Sequence, residues 1–241
     1  MRATAKKRRV QTITCHYEKA WQAVAEHIER AATVAGRVRG AVSLLAVSKT
    51  FPAEAVRAVY AAGQRAFGEN QVQEGAAKRQ ALADLPDVEW HLIGPLQGNK
   101  TRLAAATFDW VESVDRLKIA ERLAAQRPEN LPPLNVCIQV NVSGEASKSG
   151  VAPGEALALA QAVSALPRLR LRGIMGIPEP TDDVLRQRAQ FRRLHDCLDQ
   201  CVAAGLPMDT LSMGMSADLE AAIAEGATQV RVGTSIFGMR K

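Results

Sequence analysis

Long apolar runs are missing from this chain, and no stretch approaches the roughly 20 residues needed to cross a bilayer. The N-terminus is basic but lacks the apolar core of a secretory signal, so a cytoplasmic protein is expected. Cysteine is sparse. Cys15, Cys137, Cys197 and Cys201 form no paired CxxC motif, which argues against a disulfide framework or a thiolate metal site. Cys197 and Cys201 stand four apart on a predicted helix, with no histidine pair at ligand spacing, and read as small apolar core residues. No GxGxxG follows the first strand-like run, which speaks against a dinucleotide site. No Pro-, Gly- or Ser-rich linker and no low-complexity block interrupts the sequence after residue 14.

What remains is an ordinary globular composition: 241 residues, 47% hydrophobic and 23% charged. The formal charge of +6 is concentrated at one end. Arg2, Lys6, Lys7, Arg8 and Arg9 carry +5 without a balancing acid, leaving +1 for the rest. The body therefore shows no electrostatic footprint for nucleic acid. Residues 1–14 are expected to form a disordered basic tail and 15–241 a single domain.

Trp21, Val24, Ala25, Ile28, Ala32 and Ala35 recur at helical spacing, which predicts an extra N-terminal helix over 15–36. Eight β-like runs follow, at 42–48, 65–68, 88–93, 108–112, 134–141, 169–175, 208–212 and 228–232. Helical stretches at 53–62, 70–83, 115–126, 153–165 and 182–203 separate them. Repeated βα units imply a parallel sheet, and eight in this length fit a closed (β/α)8 barrel of the α/β class.

Barrels of this type place their active sites at the C-terminal ends of the strands. The first strand runs into Lys49, sharing a face with Leu45 and Val47. A lysine there either snorkels to water or, once its pKa is lowered, serves as an amine nucleophile for Schiff-base chemistry. The loops after strands seven and eight, Ser212 to Ser216 and Gly233-Thr234-Ser235, both combine glycine with hydroxyls ahead of a helix start. That chemistry suits a phosphate, although Ser216 before Asp218 is also a plain N-cap arrangement. Arg231 shares parity with Gly233 and is expected to face the barrel mouth, unless it forms a strand-end ion pair. His91 faces the lumen either as an acid/base group or as a hydrogen-bonded structural residue. Lys148 reads as a loop lysine.

A lysine for an imine, a phosphate cradle and an inward cation together describe a site for pyridoxal 5′-phosphate. An arginine at the pyridine nitrogen disfavours its protonation and weakens the ring as an electron sink.

The ordered set Ala46-Val47-Ser48-Lys49, Phe67-Gly68-Glu69-Asn70 and Trp90 to Gly94 with Gln97, Asn99 and Lys100 resembles the pyridoxal-phosphate homeostasis protein family. So do Ser212 to Asp218 and Arg231 to Gly238, and the resemblance extends from about residue 15 to 240. It implies an alanine-racemase-type barrel carrying the cofactor as an imine on Lys49. The phosphate is then expected at Ser212, Ser216, Gly233 and Thr234, the ring nitrogen at Arg231, and Asn70 in the same wall. It further implies a carrier or buffer role in vitamin B6 and amino-acid homeostasis, with transient contacts to pyridoxal-phosphate-dependent apoenzymes and no robust turnover. Racemases of this type bring a tyrosine from an added β-domain of a partner subunit. The two tyrosines here, Tyr17 and Tyr60, lie in predicted helices, and the chain reaches Lys241 just after strand eight. A monomer is expected. Three other readings stand beside this one: a weakly active racemase or decarboxylase, a Schiff-base aldolase acting on a sugar phosphate, and nucleic-acid binding through the tail.

Overall fold

A computed structural model describes the backbone of residues 2–145 and 148–239 and the side chains from residue 16 onward, outside 146–147 and 240–241. Eight strands form one closed parallel barrel in chain order. They are β1 (Ser43–Val47), β2 (Ala66–Glu69), β3 (Glu89–Leu92), β4 (Trp110–Val114), β5 (Leu134–Val140), β6 (Leu169–Gly176), β7 (Thr210–Ser212) and β8 (Gln229–Val232). Each falls on one of the eight β-like runs. Nine α-helices lie among the described residues: α1 (Arg2–Val34), α2 (Ala53–Ala61), α3 (Val72–Ala81), α4 (Thr101–Thr107), α5 (Leu117–Gln126), α6 (Ala156–Ser164), α7 (Val184–Ala203), α8 (Leu219–Ala224) and α9 (Thr234–Phe237). None is long and apolar enough to cross a membrane.

Strands in such a barrel are covered on both faces, which is why they read as near-continuous apolar runs. Every residue of β4 is buried. Outward side chains such as Ala46, Phe67, Val111, Ile138, Ile174 and Val230 join the helix faces in one large core. Inward ones make smaller groups, Leu45 and Val47 with Ile93, and Trp110 with Cys137 and Met175. The β1–β8 pairing closes the ring, with Leu45 opposite Arg231 and Ala46 opposite Val232.

The first helix starts earlier than its apolar spacing predicts. The segment expected as a disordered tail is helical from Arg2 onward, and residues 2–34 contain neither glycine nor proline to stop it. The basic side chains of that segment and Cys15 lie outside the described side chains. From Val24 on, Val24, Ile28 and Ala32 form the buried stripe. Trp21 donates from Nε1 to Gln64 at 2.9 Å, and Tyr17 meets Phe237 with ring centroids 5.9 Å apart. The helix ends in a Schellman arrangement: Gly36 is left-handed at φ 70°, and Arg37 N–H donates to Ala32 O at 2.9 Å.

Docking of α1 therefore rests on its apolar stripe. Ile28→Ala is expected to cost about 2–4 kcal/mol in urea unfolding, while Val34→Ala, 90% exposed on the same helix, costs under about 0.5 kcal/mol. Equal effects would place the stability in helix propensity instead.

Candidate functional site

The strand ends converge at the C-terminal mouth of the barrel. Lys49 stands two residues beyond β1 and Asn70 directly follows β2, both only partly exposed. Gly94, two residues beyond β3, packs against the backbone of Asn70 so closely that a Cβ there would overlap the Asn70 carbonyl oxygen. Glycine at 94 is thus what allows the two strand ends to meet. On the other flank, a Cβ on Gly233 would come within 2.9 Å of the Val47 carbonyl oxygen. Gly233 and Thr234 are thereby brought beside the end of β1.

These residues surround a cavity of about 520 Å³. Lys49, Asn70, Ser216, Arg231, Gly233 and Thr234 all line it, six of the seven residues expected at the site. Ser216 lines the wall, while the cap position of α8 falls to Asp218, whose carboxylate accepts from Met215 N–H at 2.6 Å. Ser212 is placed differently. It is the last residue of β7, fully buried, and is not part of the cavity wall. Its hydroxyl donates to Glu112 at 2.6 Å and accepts from Arg231 at 2.8 Å. Depth along the barrel is the reason: Ser212, in register with Gln229, points into the lumen below the mouth, four residues short of Ser216.

Arg231 is 3% exposed and is locked from below. Its guanidinium donates to the Ser212 carbonyl at 2.6 Å and the Gly176 carbonyl at 2.8 Å. No strand-end ion pair is needed to explain it. Beneath lies a buried polar chain that sequence reasoning missed. Glu112, fully buried on β4, accepts from His91 Nδ1 at 2.6 Å, Gln229 at 2.7 Å and Ser212. His91 stacks on Trp110 with centroids 5.0 Å apart, and Glu89 Oε2 stands 3.7 Å from its Nε2. The structural reading of His91 is the one its contacts favour. Burial alone would lower the His91 pKa, but the hydrogen bond to Glu112 and the charges of Glu112 and Glu89 outweigh it and raise it to about 9. Burial raises Glu112, and His91 together with Arg231 brings it below its usual value. A carboxylate at an inward position of a barrel strand was the available signal, since an unpaired acid there would be too costly to keep.

Two further wall residues come from β5 and the loop after it. Gln139 is 6% exposed, and its Oε1 has no hydrogen-bond partner. Lys148, expected as a solvated loop residue, lines the cavity and pairs with Glu145 at 2.7 Å. Cys137, Cys197 and Cys201 are buried free thiols, and burial pushes each pKa up, as small core residues require. Among the described residues no group of His, Cys, Asp or Glu has the makings of a metal site.

Residues 21–241 match the family model described as alanine racemase, N-terminal domain. The pyridoxal phosphate homeostasis protein of Pseudomonas aeruginosa is 62% identical over 217 residues, 90% of this chain and 93% of that one. Its Escherichia coli K12 counterpart is 52% identical over 219 residues, covering 90% and 94%. Among solved structures, PipY of Synechococcus elongatus with PLP bound superposes with a TM-score of 0.77 at 42% identity, over 88% of this chain and 99% of that one. Alanine racemase of Corynebacterium glutamicum, at 17% identity and a TM-score of 0.68 over 92% and 62%, shares the fold.

The His91–Glu112 pair gives stability a pH dependence. A histidine of the unfolded chain titrates near 6.5, so the native state binds this proton more tightly. The contribution is complete below that pH and is lost as pH rises through about 9. Wild-type protein is expected to lose on the order of 3 kcal/mol more between pH 6 and 10 than a His91→Gln variant. Coincident urea-midpoint profiles would mean that His91 is neutral in the fold.

Proposed function

The chain belongs to the pyridoxal phosphate homeostasis protein family, built on the alanine racemase N-terminal domain, and on that premise we propose that it holds pyridoxal 5′-phosphate covalently on Lys49 for release rather than turnover. The observation that carries the reading is one cavity on which Lys49, Ser216, Arg231, Gly233 and Thr234 all open. Its volume of about 520 Å³ suits a small phosphorylated ring. The unpartnered Oε1 of Gln139 in its wall asks for a ligand donor. When bound, pyridoxal phosphate supplies an aldehyde that amines can condense with and a ring able to delocalise negative charge.

The chain's own residues divide the work. Lys49 supplies the amine nucleophile; water leaves as it bonds, and water or another amine reverses the step. Ser216, Gly233 and Thr234 bind the phosphate, where the first turn of α9 has backbone N–H groups without intrahelical partners. Arg231 faces the ring nitrogen as a fixed cation, and Ser212, expected among the phosphate contacts, orients Arg231 from below. A cation in that place keeps a pyridine nitrogen unprotonated and limits carbanion chemistry. Asn70 forms the wall beside Lys49. All of these groups come from one chain, so the reading needs no second subunit. The receiving partner is an apoenzyme of the same cofactor, whose own lysine amine displaces Lys49.

Neither tyrosine lines the cavity: Tyr17 packs on Phe237, and Tyr60 bonds to Asp87 under Arg65. A two-base racemase needs a second proton carrier across the ring from the lysine. Lys148 is the observation favouring a second reading, a weakly active racemase or decarboxylase, although it is engaged with Glu145.

Purified protein mixed with pyridoxal phosphate is expected to turn yellow, and borohydride reduction to fix the pyridoxyl group on Lys49 in a peptide map. Lys49→Ala should abolish both signals. Amino-acid turnover should stay within about tenfold of free cofactor, since only one proton carrier is placed. Turnover far above that, lost in Lys148→Met, would establish the second reading. Protein that stays colourless would return a sugar-phosphate aldolase to consideration.

A further inference from the structure

Behind Lys49, on the outer face of the barrel, sits a buried cation that none of the chemistry above employs. Lys78 lies on α3 with its side chain 7% exposed. Its ammonium donates to the Ser48 carbonyl at 2.7 Å, Glu69 Oε1 at 2.6 Å and Glu74 Oε1 at 2.8 Å. A lysine has three donors, and here all three are used. Both carboxylates then reach back to the same segment. Glu69 Oε1 accepts the Ser48 hydroxyl at 2.5 Å, and Glu74 Oε1 accepts the Thr50 backbone N–H at 2.5 Å. The residues before and after Lys49 are therefore tied to one ammonium.

The turn they make is not one its sequence prefers. Thr50 has φ 70°, a left-handed conformation that β-branched residues rarely adopt. Such strain persists only where the surroundings over-determine it, and it concentrates at functional sites. Thermodynamics gives no separate reason for the cluster, because well-packed apolar replacements of buried ion pairs are often neutral or stabilising. Its location does supply one. Of all the strand ends at the mouth, this cluster grips the one bearing the attacking amine.

We propose that Lys78 is a positioning residue for Lys49, fixing the peptide on both sides so that the amine meets a bound aldehyde in one orientation. This rests on the reading of Lys49 as the attachment point. A loosened strand end spreads the amine over several positions and lowers its effective concentration at the reacting carbon. The loss is specific to bond formation, because the cluster's hydrogen bonds end on Ser48 and Thr50 and on none of the phosphate-binding residues after β7 and β8.

Two ligands separate the effects. Pyridoxal phosphate can bond to Lys49; pyridoxine 5′-phosphate has the same ring and phosphate but no aldehyde. In Lys78→Met the attachment rate, followed by absorbance, is expected to fall about tenfold or more, and pyridoxal phosphate affinity about tenfold. Pyridoxine phosphate affinity should stay within about twofold. Glu74→Ala, whose side chain is 25% exposed, removes the hold on Thr50 and one of the three acceptors of Lys78, leaving Ser48 and Glu69 bonded, and should slow attachment about threefold. It decides the matter if Lys78→Met does not fold. Equal losses for both ligands, or unchanged attachment in Glu74→Ala, overturn the proposal while leaving Lys49 as the anchor. Wild-type protein that holds both ligands equally overturns the Lys49 reading and this proposal with it.

Discussion

Closure of the barrel between β1 and β8 is the constraint on which the site depends. Lys49 and Thr234 are far apart in sequence, and only the pairing of Leu45 with Arg231 and Ala46 with Val232 brings them to one rim. The contact is tight, with Gly233 seated against the Val47 carbonyl. A slip of one residue in this register would turn Arg231 from the lumen to the helices and carry Gly233 away from the strand end. The amine and the phosphate-binding turn would no longer share a cavity.

Two buried charge clusters support that rim from opposite sides. Inside the lumen, His91, Glu112, Gln229 and Ser212 hold Arg231 upright. Outside, Lys78 with Glu69 and Glu74 holds the residues around Lys49. Burying so many polar groups is costly unless each finds partners, and apolar packing would serve stability as well. The inner cluster ends on Arg231 of the cavity wall, and the outer one on Ser48 and Thr50, the two neighbours of Lys49. Their placement is explained by orientation of the site, with stability a secondary consequence. Burial pushes the Glu69 carboxyl up, and Lys78 and Ser48 recover only part of that shift, which marks how far this cluster departs from an ordinary surface ion pair.

The fold was largely legible because its strands are apolar on both faces and its turns are polar. Helix α4 was not foreseen, since Thr101–Thr107 is short and alanine-rich, with little amphipathic contrast. The start of α1 was missed for a related reason: Arg2 to Arg9 has good helix formers but no apolar stripe to announce them. At the site, Lys49, Arg231 and the Gly233-Thr234 turn could be placed from strand ends and parity, and Asn70 from the family resemblance. Ser212 and Ser216 looked equivalent in sequence, and only the end of β7 at Ser212 sends one hydroxyl into the lumen and the other to the cavity. Lys78 resembled any surface lysine on a helix, because the partners that bury it come from β1 and β2. Glu112 was visible as an acid in a buried strand, but its partners lie across the barrel on β3, β7 and β8. Such groupings are fixed by tertiary structure and leave little local trace.

The central claim is that one chain brings a covalent anchor, a phosphate turn and a ring-facing cation together in a single cavity. A crystal structure of the protein grown with pyridoxal phosphate tests it most directly. The account predicts continuous density from Lys49 Nζ into the ligand, phosphate on Ser216, Gly233 and Thr234, and the ring nitrogen at Arg231. Density that joins the ligand to another lysine, or a phosphate seated away from the turns after β7 and β8, would contradict it.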